Sequence, residues 1–255
     1  ADIAQPQHSA LALTWFENVI NKAKETLNTQ FEQYRISEAL MTVYTTFRDE
    51  FSSWLLEIIK PAYGQPIDRK TYEKTLDLFA ELLQLLHPFM PFITEEIWQN
   101  LKERKTGESI MVSVINNDTP YDENLLKEFE FVKEIIVGIR NIRKQNNIAF
   151  KDRLELKVKK NDRYPAAFAS IVEKMGNISA TETVTEAVKG AWSFIVDTVE
   201  YFIPGTGNVD TAEVKAKLEE ELKYTRGFLK SVIAKLSNER FVSGAPEQVV
   251  ANERK

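Results

Sequence analysis

From Ser9 to Lys60 apolar residues return every three or four positions, the period that lines one side of an α-helix. In "SALALTWFENVINKAKETL" the stripe is Leu13, Phe16, Val19, Ile20 and Leu27, with Ser9 as the expected N-cap. "RISEALMTVYTTFRDEFSSWLLEIIKP" repeats the pattern through Ile36, Leu40, Val43, Phe47, Phe51, Trp54, Leu55 and Ile58, with Ser37 as the expected cap and Pro61 and Gly64 as the stop. A third helix is expected from Asp68 to about Leu86. Pro88 ends it, because the residue before a proline is pushed out of the α region. Pro91 suits the first turn of the next helix, where its missing N–H is no loss. "HPFMP" is therefore read as a sharp corner, with His87 positioned to bond the last carbonyls of the closing helix.

Farther along, "IMVSVI" (Ile110 to Ile115) is β-like, and a long helix is expected from about Asp122 to Asn147. Its stripe is Leu126, Phe129, Val132, Ile135, Ile136, Ile139 and Ile142. The period then changes to two in "RLELKVKK", which predicts a half-buried strand with Leu154, Leu156 and Val158 on one face. "RYPAAFASIVEKMG" predicts a short helix closed by Gly176, and "WSFIVDTVEYFIP" one or two further strands. After a "GTGNVDTAEV" joint with Asp210 as a cap, Leu218, Leu222, Thr225, Leu229, Val232 and Leu236 follow the 3.5-residue spacing of a coiled coil. "SNERFVSGAPEQVV" is read as its turn, with Gly244 ending one helix and Pro246 starting the next. The expected fold is mainly α: a helical bundle over 1–150, a small α/β subdomain over 151–208, and a helical-hairpin arm over 209–255 truncated in its second helix.

Composition narrows the chemistry. The chain has 255 residues, 43% hydrophobic and 28% charged, as in a soluble globular protein. It has no cysteine, which excludes thiol catalysis and thiolate metal sites and fits a reducing compartment. Neither a leader-like opening nor a run of about 18 apolar residues occurs, so neither secretion nor membrane spanning is expected. A net charge of −5 argues against indiscriminate coating of nucleic acid. One island departs from it: between Arg140 and Arg163 nine basic residues face three acidic ones, +6 in 24 residues. Glycine-rich phosphate loops, nucleophile elbows and H-E-x-x-H are missing, and the two histidines stand 79 positions apart. Glu95 and Glu96 are adjacent in a helix, so their side chains diverge. No catalytic or metal-binding constellation is visible, and the chain is expected to bind rather than catalyse.

For binding, Arg140, Arg143 and Lys144 stand at three-and-four spacing, read as a polar face opposite the isoleucines of the long helix. Arg35 and Arg48 flank the second helix and reach either a phosphate or base edge, or a carboxylate such as Glu38 or Glu50. An exposed amphipathic helix and a packed core explain the same residues without any ligand.

"LLHPFMPFITEEIWQNL" (Leu85 to Leu101) resembles the corner of the anticodon-binding domain in class I aminoacyl-tRNA synthetases of the valine, isoleucine and leucine group. "KLSNERFVSGAPEQVVANERK" (Lys235 to Lys255) resembles the coiled-coil turn of the valine branch, and "RNIRKQNNI" that family's connecting helix. "FSSWLLE" (Phe51 to Glu57) is similar to its second bundle helix, with Ser53 and Leu55 where an aspartate and a tyrosine often flank the tryptophan. The resemblance runs from about Leu11 to Lys255. It implies a C-terminal portion without the His-Ile-Gly-His and Lys-Met-Ser-Lys-Ser catalytic signatures or an editing domain. It also implies a cytoplasmic parent enzyme that joins valine to tRNA(Val) with ATP and Mg, monomeric at full length, with no DNA or membrane partner. No cofactor is expected in this portion.

On that resemblance the bundle docks on the anticodon stem-loop and the arm on the outer corner of the tRNA. Arg35, Arg48, Arg140, Arg143, Lys144 and Asn146 are the candidate contacts on the anticodon side. Lys223, Arg226, Lys230 and Lys235 are the candidates on the arm. Two alternatives stand beside this reading: a non-enzymatic scaffold that pairs through its coiled coil, and the equivalent region of an isoleucyl or leucyl relative.

Overall fold

A computed structural model describes residues 3–115, 119–205 and 211–237. It divides into two compact units, Ala1–Pro204 and Gly205–Lys255. In the first, α1 (Gln7–Glu32), α2 (Ile36–Thr45), α4 (Arg69–Leu86), α5 (Pro91–Leu101) and α6 (Glu123–Gln145) form the helical layer. Between α2 and α3 (Leu56–Ile59) the same rod continues as a π-helical stretch, Thr46–Leu55. There Ser52 Oγ donates to the Phe47 carbonyl at 3.0 Å and Ser53 Oγ to the Arg48 carbonyl at 2.9 Å, each five residues back.

The caps and the corner follow their chemistry. Asp68 accepts from the Thr71 amide at 2.8 Å, and Asp122 accepts from the Asn124 and Leu125 amides. Pro91 opens α5 at its first position. Four expectations fail locally. Ser9 lies buried inside α1, which starts behind Pro6, and Arg35 rather than Ser37 stands at the start of α2. His87 Nδ1 reaches across the corner to Thr94 Oγ1 at 2.7 Å instead of bonding the end of α4, so it ties α4 to α5. Ile110–Ile115 is no strand: Ile110–Val112 is a 3₁₀ turn, held because Glu95 accepts from Ser109 Oγ at 2.6 Å and the Ile110 amide at 3.1 Å.

Beyond α6 a four-stranded sheet forms, in the order β2–β1–β4–β3. β1 (Leu154–Lys159) alternates buried and exposed as its pattern requires. The helix α7 (Ala169–Gly176) ends on Asn177, which takes the left-handed φ of 50° otherwise suited to glycine. It leads into β2 (Ile178–Val184), which the periodicity did not mark and which pairs parallel with β1. β3 (Ala191–Val196) and β4 (Val199–Pro204) form an antiparallel hairpin whose turn has Asp197 at φ 54°.

The core does not break at residue 150. Ile135, Ile136 and Ile139 of α6 belong to the same buried cluster as Leu13 and Phe16 of α1 and as Leu156, Tyr201 and Ile203 of the sheet. Gly138 permits the close approach, since a Cβ there would land inside the Phe194 ring of β3. Trp15 stacks on Phe129 with centroids 3.9 Å apart, which locks α1 to α6. The second unit contains α8 (Thr211–Leu236). The expected Asp210 cap and the turn with Gly244 and Pro246 lie outside the described residues.

Candidate nucleic-acid interface

The end of α6 sorts its basic residues into two kinds. Arg143 is 5% exposed, and its N–H groups are taken by main-chain carbonyls. Nη1 donates to Ala149 at 3.0 Å and Asp152 at 2.9 Å, Nη2 to Gly176 at 2.8 Å and Asn177 at 3.2 Å, and Nε to Gly176 at 3.3 Å. Burial lowers its pKa from the ordinary arginine value, with Asp152 opposing. This guanidinium joins α6 to the loop before β1 and to the end of α7, and it has no donor left for a phosphate. The expectation of an exposed contact is corrected here. At 100° per residue Arg143 shares the side of Ile136 and Ile139, and that spacing was the available signal.

Its neighbours differ. Arg140 is exposed and lies 5.5 Å over the half-buried Trp54 ring. Lys133, two turns earlier on the inner side, lies 5.7 Å from the same ring and donates to Glu50 at 2.5 Å and Glu130 at 2.7 Å. Lys144 is exposed. Asn146 closes the helix, donating from Nδ2 to the Ile142 carbonyl at 2.8 Å, so its amide is partly committed.

On the second helix, Arg35 pairs with Glu38 at 3.5 Å. Arg48 makes a two-point pair with Asp49, at 2.7 and 3.3 Å, and lies 5.1 Å over the Tyr44 ring. The Asp49 carboxylate and then the Tyr44 hydroxyl hold its pKa above the ordinary value. Both pairs are exposed and exchangeable with water or another anion. Ser53 is committed to the Arg48 carbonyl and Leu55 is fully buried, so both positions serve the fold.

The basic island contracts once the chain folds. Lys157 pairs with Glu182 and Glu155, Lys159 with Glu200 at 3.0 Å, and Arg163 with Asp197. Glu182, Asp197 and Glu200 lie outside the counted window and come from β2, the hairpin turn and β4. Lys144, Lys151, Arg153 and Lys160 remain exposed, with Arg140 beside them in sequence.

Within the second unit, Lys223, Arg226 and Lys230 are exposed on α8 at spacings that place them on one side. Lys235, also exposed, falls on the side of Tyr224 and Phe228. Leu222, Leu229 and Ile233 make a third, apolar side, about half exposed each. The Leu218 side chain is outside the described set. The helix therefore offers cations, aromatic rings and an apolar seam on separate faces. Among the described residues no cluster of three or more His, Cys, Asp or Glu suits a metal ion, and no helix is long and apolar enough to cross a membrane.

Comparison with known families places these features. A model of the anticodon-binding domain of tRNA ligase matches residues 14–159, and one of the valyl tRNA synthetase tRNA binding arm matches 210–255. The chain belongs to the anticodon-binding-domain family of tRNA ligases. Valine–tRNA ligases are among the curated relatives that the chain resembles. That of Phocaeicola vulgatus is 55% identical over 255 residues, 100% of this chain and 29% of its own length. Those of Parabacteroides distasonis and Christiangramia forsetii are 51% and 46% identical, each over 99% of this chain and 29% of their own. The chain thus spans about 29% of the length of these relatives.

Proposed function

We propose that this chain is the tRNA-recognition portion of a valine–tRNA ligase. The observation that carries the reading is the match of its two ends to two different RNA-binding modules, residues 14–159 and 210–255. The bundle grips the anticodon stem-loop of tRNA(Val), and the arm reaches the outer corner. The parent enzyme is cytoplasmic, monomeric, and uses ATP with Mg to join valine to its tRNA. The bond-making residues are supplied by polypeptide outside this chain. Arg140 and Lys144 are the first choices on the bundle, with Arg35 and Arg48 released from their carboxylates on contact. Lys223, Arg226, Lys230 and Lys235 serve the arm.

Phosphate contacts release counterions, so affinity falls as salt rises. Filter binding of tRNA(Val) at two salt concentrations tests the reading. Lys144→Glu weakens binding in the bundle, and the triple change Lys223→Glu, Arg226→Glu, Lys230→Glu weakens it in the arm. Footprinting then shows loss of protection at the anticodon loop for the first and at the outer corner for the second. Equal retention of tRNA(Val) and an unrelated duplex RNA refutes it. The exposed seam Leu222, Leu229 and Ile233 favours one second reading, a protein-pairing scaffold. A protein partner bound there, with no RNA affinity anywhere, selects it.

A further inference from the structure

Lysines that enter the interior of this chain meet a carboxylate there. Lys24 is bound to Glu81 at 2.7 Å, Lys74 to Glu17 at 2.6 Å, Lys133 to Glu50 at 2.5 Å, and Lys157 to Glu182. Among the described residues, Lys174 of α7 is the half-buried lysine with no such partner. Ile171, Val172 and Met175 sink α7 into the core, and Lys174 stands at the rim of that buried face. Its Nζ donates to Nε2 of His8, at the start of α1, at 3.0 Å. It also donates to the Lys60 carbonyl, just past α3, at 2.7 Å. Both acceptors are neutral.

The charged groups around this amine are engaged elsewhere. Burial first, and then Lys174, lower the His8 pKa to about 4 while Asp68 opposes, so at neutral pH the imidazole is uncharged and its Nε2 lone pair faces the lysine. Asp68 accepts from the Thr71 amide at the start of α4. Glu57, the carboxylate that acts on Lys174 from α3, is bonded to Lys60 at 3.4 Å. Burial outweighs the pull of Glu57 and holds Lys174 below the ordinary lysine pKa. Loss of a proton suits the geometry. An uncharged amine has two N–H donors and one lone pair. The donors match the two acceptors already in place, and the lone pair is left unspent on a nitrogen at the rim of the core. Desolvation without a countercharge is a recognised way of making a lysine nucleophilic.

We infer that Lys174 is a site of covalent acylation, taking the acyl group of a small acyl phosphate. The ammonium first gives one proton to water. The Nζ lone pair then attacks the carbonyl carbon and forms a C–N bond. The C–O bond to phosphate breaks, and the phosphate leaves with that electron pair and takes the second proton from the nitrogen. No oxidant, reductant or further cofactor enters. The product amide keeps a single N–H, so only one of the two bonds at 3.0 and 2.7 Å survives. Modification therefore unties α7 from either the start of α1 or the end of α3, and it removes a positive charge. The site goes beyond the recognition reading, which uses neither Lys174 nor His8.

Acetyl phosphate is the probe. The 255-residue chain is treated briefly at a series of pH values from neutral to alkaline, and the acetylation rate of each lysine is read by peptide mass spectrometry. Lys189, exposed before β3, is the reference, and Lys74 is the half-buried lysine with a carboxylate. Near neutral pH Lys174 is expected to react about threefold or more faster than Lys189. That ratio shrinks as pH rises, because the reference gains its neutral amine later. A difference in access alone gives a ratio that does not move with pH. His8→Glu supplies the missing carboxylate and brings Lys174 down to the Lys74 rate. A Lys174 rate at or below that of Lys189 throughout overturns the inference, and so does a ratio independent of pH. So does a His8→Glu chain, folded by circular dichroism, that acetylates Lys174 as fast as the parent. Where His8→Glu does not fold, the pH series on the parent chain decides.

Discussion

Arg143→Lys separates a structural guanidinium from an RNA-binding one. The arginine fork makes five hydrogen bonds to four carbonyls on two segments, Ala149 and Asp152 before β1, and Gly176 and Asn177 after α7. A lysine keeps the charge but presents its donors from a single nitrogen, which cannot serve both segments. At least two bonds to a charged donor are lost, each worth about 1.5–3 kcal/mol. Water recovers part of this at the exposed Ala149 and Asp152, whereas Gly176 is buried and recovers none. The expected loss is about 3–5 kcal/mol, a large share of the ~5–15 kcal/mol that holds a domain together. Guanidinium unfolding followed by tryptophan emission reads it, with Trp192 of β3 reporting on the sheet. Lys144→Ala, one residue away and exposed, is the control and stays within about 0.5 kcal/mol. An Arg143→Lys variant as stable as the parent but weaker on tRNA would refute the reasoning.

Three further outcomes follow from named contacts. Burial, and next the Lys174 ammonium 3.0 Å from its Nε2, lower the pKa of His8 from 6.5 to about 4, with Asp68 opposing. Below 6.5 the unfolded chain binds a proton that the folded one refuses, so stability falls as pH drops from 6.5 towards 4. His8→Asn flattens that slope in melting temperature against pH, and an unchanged slope contradicts the assignment. Lys133→Met leaves Glu50 without its buried partner and loses about 3–5 kcal/mol, while adding Glu50→Leu restores part of it in a denaturant double-mutant cycle. Gly138→Ala gains about 1 kcal/mol of helix propensity but forces the Phe194 ring off α6 at a cost of about 1–3 kcal/mol, so near-ultraviolet dichroism of the sheet weakens.

Local chemistry was legible where one residue decides one conformation. Asp68 and Asp122 start helices because a carboxylate meets orphan amides, and Pro88 and Pro91 make a corner for steric reasons. The alternation of Leu154, Leu156 and Val158 set the faces of β1. Other features depend on partners that spacing does not reveal. β2 reads "ISATETV" and is mostly exposed, so it carries little hydrophobic signal and becomes a strand because β1 offers it a parallel edge. The π-helical stretch keeps the residue spacing of an ordinary helix while changing which carbonyl each residue meets. Ile36 and Leu40 obey the same period as Val43 and Phe51, yet the helix has packing partners on its inner side and none over that flank of the described unit.

Charge shows the same division between sequence and fold. Read along the chain, Arg140 to Arg163 carry +6. In space, Glu182, Asp197 and Glu200 return from later strands and pair three of those cations, while Arg143 spends its donors on carbonyls. On the proposed recognition reading, the positive field that this window offers RNA comes from its exposed remainder, Arg140, Lys144, Lys151, Arg153 and Lys160, beside that of Lys223, Arg226 and Lys230 on the arm. Each group holds few cations, so neither supplies many phosphate contacts by itself. On the proposed recognition reading, affinity for one folded RNA is expected to depend on engaging both groups together. Two weak sites on one molecule bind tightly only when their separation matches the ligand, and that condition discriminates against a duplex presenting phosphates at other distances.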